Sequence, residues 1–180
     1  MNVRTYAGVV STAPTVYQPP TAQCAIERTL AVIGERWSLL ILREAHGGVT
    51  RFADFQANLG IATNVLITRL GKLVAAGVLE KREYQKPGER ARPEYHLTQT
   101  GRDLAVVLGA LQQWGDEHLP LPKGPVTQRA DRATGKPVSV SFVDERGSPI
   151  DISQVQLDGP GAVGSIAVPT TRSHSSRGRR

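Results

Sequence analysis

A mainly α fold carrying a small β-wing, the winged helix-turn-helix, is predicted for this 180-residue chain by three observations. Four segments with helical apolar spacing lie between Cys24 and Gly77, divided by glycine turns. The period then switches to strand-like in "VLEKREYQ" and "PEYHLTQ", joined by the cationic turn "KPGERAR". A long helix with a strong apolar stripe, "RDLAVVLGALQQWGDEHL", follows the second strand.

Taken in order, residues 1–22 are rich in Pro, Thr, Val and Ala without periodicity and read as a flexible arm. Ile26, Leu30 and Ile33 share one face of the first helix, which Gly34 closes. "RWSLLILREAH" is apolar nearly all round and should be the central buried helix, ended by the two glycines after His46. "RFADFQANLG" puts Phe52, Phe55 and Leu59 on one side of a short third helix. Gly60 then turns the chain into "GIATNVLITRLGKLVAAGVL", where Leu66, Leu70, Leu73 and Val74 form the buried face.

The opposite face of that fourth helix carries Thr63, Asn64, Ile67, Thr68 and Lys72. These residues read either as solvated positions, with Thr63 as a cap, or as a recognition surface, and an ordinary solvated face would carry Glu and Lys pairs. Short, mostly uncharged hydrogen-bonding side chains instead suit the base edges of a major groove, where Asn pairs with adenine and an apolar group packs on the thymine methyl. With Ala62 ahead of it, Thr63 is the expected N-cap. Lys86, Arg90 and Arg92 in the wing are expected to meet phosphates. Arg69 reads either as a further contact or as a partner of Asp54.

The last helix carries Leu104, Val107, Leu108, Leu111 and Trp114, more apolar surface than one small domain covers. With Ile26 and Leu30 it predicts dimerisation through the terminal helices, which would place two recognition helices about 34 Å apart. Residues 23–119 thus form one winged-helix domain. In residues 120–158, "PLPKGP" is a linker, and "PVSVSFVD" and "IDISQVQLD" around "ERGSP" predict a small β-hairpin appendage at 137–158. Residues 159–180, rich in Gly, Ser and Arg, read as a disordered tail.

Charge alone decides little. The net +6 is mostly a property of the tail, because residues 24–118 hold 12 Lys+Arg against 11 Asp+Glu. Any argument for nucleic acid therefore rests on local placement. The lone Cys24 excludes an intrachain disulfide framework and fits a reducing cytoplasm. No 18-residue apolar run predicts a membrane span, and prolines 14, 19 and 20 interrupt the N-terminus as a secretory signal. His46, His96, His118 and His174 are scattered, so neither metal nor cofactor is expected, and no nucleophile–base grouping suggests an enzyme. "GPGAVG" at Gly159 lacks the strand-to-helix context of a dinucleotide loop. A protein-interaction winged helix would want an acidic or greasy fourth-helix face, and this one is neither.

The ordered motifs "GERW", "LLILRE", "RFADF", "LITRL", "AAGVLEKREY" and "EYHLTQTG", opened by Cys24, resemble the HxlR-type winged-helix regulators of bacteria over about residues 24–118. The resemblance implies a homodimer bound to pseudo-palindromic double-stranded DNA, often as a repressor. It also implies phosphate contacts for Arg36 and Arg51 at helix starts. Arg36 stands where Lys is common, and Ala62 where Ser or Thr often begins the helix. Cys24 reads first as a small buried hydrophobe. In several members the cysteine at this place senses electrophiles, which makes Cys24 a candidate sensor for a small-molecule effector.

Overall fold

The computed structural model describes residues 22–85, 91–125 and 127–156, and the chain divides after Ala105 into two compact units. The predicted arm lies outside the described residues apart from Ala22, and the tail, Lys86 and Arg90 lie outside them altogether.

In the first unit, helices α1 (Ala25–Ile33), α2 (Arg36–His46), α3 (Phe52–Leu59) and α4 (Thr63–Ala75) lead into an antiparallel ribbon, β1 (Leu79–Tyr84) with β2 (Arg92–Leu97). A short α5 (Gln99–Asp103) closes the unit. The core is built from α2, α3, α4 and the root of the wing. Ile41, Leu42, Phe55, Leu66, Leu70, Leu73 and Leu79 are all fully buried. Each such side chain contributes about 1.5–3 kcal/mol by leaving water. Gly60 ends α3 at φ +59, a left-handed conformation that a side chain resists, and so makes the turn that points α4 away.

The wing runs in the register Leu79↔Leu97 to Tyr84↔Arg92. Its second strand is also gripped from the other side: Tyr95 N–H donates to the Thr50 carbonyl at 2.8 Å, and Arg51 bridges Glu94. The residues just ahead of α3 therefore extend the ribbon and tie wing to helix. At the wing's root, Thr98 donates to the Gly77 carbonyl at 2.6 Å and caps α5 by accepting from the Gly101 N–H. That cap starts a helix at Gln99, three residues earlier than the apolar pattern suggested.

The long helix expected from Arg102 is broken instead at Leu104, whose N–H returns to Gly101 at 3.2 Å. Gly101 is wedged against the Val78 carbonyl, which fixes α5 to the wing's root. Helix α6 (Ala105–His118) then begins.

The second unit is α6 with the chain that follows it. The hairpin expected at 137–158 is short among the described residues. Ile150 N–H donates to the Phe142 carbonyl and Asp144 N–H to the Ser148 carbonyl, both at 2.9 Å, around the Val143↔Pro149 bridge. A second bridge at Ala130↔Pro137 and a 3₁₀ turn at Ile152–Gln154 accompany it. Each bridge has a proline on one side, which removes the N–H that a longer ladder would need. Side chains hold this segment to α6. Gln113 Nε2 donates to the Val140 carbonyl at 3.0 Å while Val140 N–H donates to Gln113 Oε1 at 2.8 Å. Gln112 reaches Thr127 at 2.7 Å and Arg129 pairs with Asp116 at 2.9 Å. Gly109 faces Val140, where an added Cβ would stand 3.1 Å from a methyl.

Gly109, Gln112, Gln113 and Asp116 repeat at helical spacing and so lie on one side of α6. Val107, Leu111, Trp114 and His118 lie on the opposite side, with Leu111 52% and Trp114 57% exposed. Leu104 and Leu108 are half-buried. The chain's own appendage thus covers one stripe of α6 and leaves bare the stripe expected to meet a partner. In the first unit Ile26 and Leu30 of α1 are bare as well, at 68% and 57%. Val106 is a further exposed apolar residue of α6 that the sequence pattern did not single out.

Candidate nucleic-acid interface

The α4 surface follows from what anchors it. Leu66, Leu70 and Leu73 are buried, so Asn64, Ile67, Thr68 and Gly71, at positions i, i+3, i+4 and i+7, form one exposed stripe. Gly71 was not singled out from sequence; its missing side chain leaves open space in the middle of the face. Thr68 Oγ1 donates to the Asn64 carbonyl at 2.9 Å, tying two stripe residues together.

Thr63 is not the N-cap. It is the first residue inside the helix, and Ala62, which has no capping side chain, takes the cap position. The hydroxyl of Thr63 instead accepts from Gln56 Nε2 at 2.7 Å, which joins α3 to α4 across the turn. The opening N–H groups of α4 are consequently free of any side-chain cap, an arrangement that favours an anion.

Arg69 does not pair with Asp54. Its guanidinium grips both carboxylate oxygens of Glu35, at the start of α2, and Lys72 Nζ reaches the same carboxylate at 3.2 Å. Glu35 was missed from sequence. The available signal was an acid at a helix start and two cations three residues apart on a neighbouring helix.

Arg51 occupies the N-cap of α3, as expected of a residue at a helix start, but its guanidinium is engaged. It donates to Glu94 Oε1 at 3.1 Å and lies over the Tyr84 ring at 4.7 Å. Glu94 also contacts His96 Nε2 at 3.1 Å. The Arg51 hydrogen bond holds the Glu94 carboxyl below its usual range, against the desolvation that pushes it up, and the same bond raises Arg51. Arg51, Phe52, Tyr84, Arg92 and Pro93 line a shallow cavity of about 360 Å³ between α3 and the wing. Arg92 is exposed at its edge, and Arg36 is exposed over its neighbour's ring, 4.9 Å from the Trp37 centroid. Cys24 is the N-cap of α1 and half-buried, and its side chain makes no cap bond.

Helix, turn, exposed helix and two-stranded ribbon in this order define a winged helix-turn-helix protein. A family model described as HxlR-like helix-turn-helix matches residues 32–122, and the chain belongs to that family. It is 48% identical over 101 residues to the HTH-type transcriptional regulator Rv3095 of Mycobacterium tuberculosis, a match covering 56% of this chain and 63% of the relative's length. The fold is similar to that of the solved structure of PA1607, a candidate transcription factor, with TM-score 0.68 and 36% identity over 77% of this chain and 96% of that one. It is also similar to PA1374 of Pseudomonas aeruginosa, another candidate transcription factor, with TM-score 0.55 and 37% identity over 78% and 95%. Both structural matches cover more of the chain than the winged helix alone contains. No helix among the described residues is long and apolar enough to cross a membrane.

Proposed function

We propose that this protein is a sequence-specific DNA-binding transcriptional regulator that acts as a homodimeric repressor on a pseudo-palindromic operator in the cytoplasm. The observation that carries this reading is the α4 stripe, exposed and uncharged, above a helix start that no side chain caps. In a major groove, Asn64, Ile67 and Thr68 read base edges, and Thr63 and the first N–H groups of α4 meet phosphate. Arg36, Arg51 and Arg92 contact the backbone, with Arg51 also holding the wing in place. Homologous regulators and the winged-helix fold support this reading over an enzymatic one.

The bare stripe of α6 and the exposed Ile26 and Leu30 of α1 are assigned to contact with a second copy, which supplies the twofold symmetry a palindromic site requires. The test is titration against the duplex upstream of the protein's own gene and a scrambled duplex at several salt concentrations. Preferential binding to the first supports groove reading, with log K falling by about 0.9 per phosphate contacted in log salt. Equal, weak binding to both argues against it.

A second reading adds regulation through Cys24, favoured by its place at a helix start with a partly exposed thiol. Electrophile treatment that weakens operator binding of the native protein and spares Cys24→Ser supports it. An equal response in both proteins removes it.

A further inference from the structure

Glu35, Arg69 and Lys72 form a charged cluster between the start of α2 and the middle of α4. Glu35 is the N-cap residue of α2, yet its carboxylate caps nothing in its own helix. It turns to α4, where its two partners are held differently. Arg69 is engaged by both carboxylate oxygens, and only 18% of its side chain is exposed. Its Nε is buried without a partner, so Glu35 supplies the acceptors this guanidinium has among the described residues. Lys72 makes a single contact at 3.2 Å and is 56% exposed. The first is a fixed fork, and the second a surface ion pair that adds little stability but keeps the ammonium beside the carboxylate.

Lys72 follows Gly71 at the edge of the exposed α4 stripe, where an ammonium would otherwise point toward a DNA backbone. We propose that Glu35 is a positioning residue of the DNA face: through Arg69 it seats α4 against α2, and through Lys72 it withholds one cation from phosphate. The inference rests on the reading of α4 as the recognition helix. Phosphate contact adds affinity without sequence information, so holding Lys72 back keeps the sequence-independent part of binding small. A carboxylate beside the stripe also repels a misplaced strand.

The experiment compares the full chain with Glu35→Gln, Lys72→Gln and the double variant. Each is titrated with the upstream and scrambled duplexes from low to moderate salt, and thermal unfolding is followed without DNA. Glu35→Gln is expected to tighten both duplexes by roughly 5- to 10-fold near 0.1 M salt and to steepen the log K against log salt slope by about 0.9, the signature of one added phosphate. That increment should vanish in the double variant, and Lys72→Gln alone should leave the slope near that of the unaltered protein. An unchanged slope in Glu35→Gln, or a steepening that persists without Lys72, overturns the proposal. Should Glu35→Gln fail to fold, Lys72→Gln decides, because a slope shallower by about 0.9 would show that this lysine already reaches phosphate. If the unaltered protein shows no preference between the duplexes, the DNA reading itself is at fault, and the inference falls with it.

Discussion

Gln113 and Val140 hold each other by a reciprocal pair of hydrogen bonds, side-chain amide to backbone, at 3.0 and 2.8 Å. This pair makes an otherwise strand-poor segment part of the second unit, since no extended ladder does so among the described residues. Gln113→Ala should remove both bonds at about 1 kcal/mol each and leave the Val140 amide unprotected. Faster hydrogen exchange at Val140 with little change at Leu66 or Leu70 is the expected result. Equal protection in both proteins would show that the pair does not hold the segment.

Gly101 has no room for a side chain. An added Cβ would stand 2.2 Å from the Val78 carbonyl oxygen and 3.0 Å from Leu97 Cδ2. Gly101→Ala should lower the melting temperature by roughly 10 °C or more, through overpacking where α5 meets the wing. A melting curve within about 2 °C of the native protein would mean that α5 yields easily.

The Arg51–Glu94 pair makes the attachment of the wing depend on pH. The folded-state pKa of Glu94 is lowered by the Arg51 bond, so the contribution of this pair is present above the ordinary carboxylate value of 4.5 and lost as pH falls through the lowered one. An NMR titration should find Glu94 protonating at lower pH in the native protein than in Arg51→Met. Coincident titrations in the two would show that Arg51 is not the cause.

Asn64→Ala and Ile67→Ser alter the exposed α4 stripe without touching the core. Each should cost about 1–3 kcal/mol in binding the preferred duplex and much less on a scrambled one. Parallel losses on both duplexes would assign these residues to general adhesion. Thermal stability should stay within about 0.5 kcal/mol of the native protein.

Leu111 lies mid-stripe on the uncovered side of α6. If this stripe meets a second copy as proposed, Leu111→Lys should shift a dimer to monomer in light scattering and weaken binding to a palindromic duplex far more than to a half-site. A dimer of unaltered stability would move the subunit contact elsewhere.

Helix existence, the two-stranded wing and the α4 stripe could all be read from apolar spacing, because burial of Leu66, Leu70 and Leu73 dictates which residues face out. Cap chemistry was less legible. Thr63 is a good capping residue, but Gln56 claims its hydroxyl from another helix. The break at Leu104 was hidden because the short polar helix that Thr98 caps, Gln99–Asp103, runs straight into the apolar pattern of the next one. Contacts distant in sequence, such as Glu35 with Arg69, follow from packing α2 against α4 and leave no periodic trace. In the appendage the turn at "ERGSP" was legible and the extent of pairing was not, because Pro149 holds it to one bridge.

The bond from Thr68 Oγ1 to the Asn64 carbonyl also limits what this side chain can recognise. A hydroxyl has one hydrogen to give, and here the helix has already received it. Were α4 to enter a major groove as proposed, Thr68 could then only accept, which would favour the amino groups of adenine and cytosine over the carbonyl oxygens of guanine and thymine. A hydroxyl that could pair with a donor or an acceptor would thus be made selective by its own backbone, which answers half of the question first.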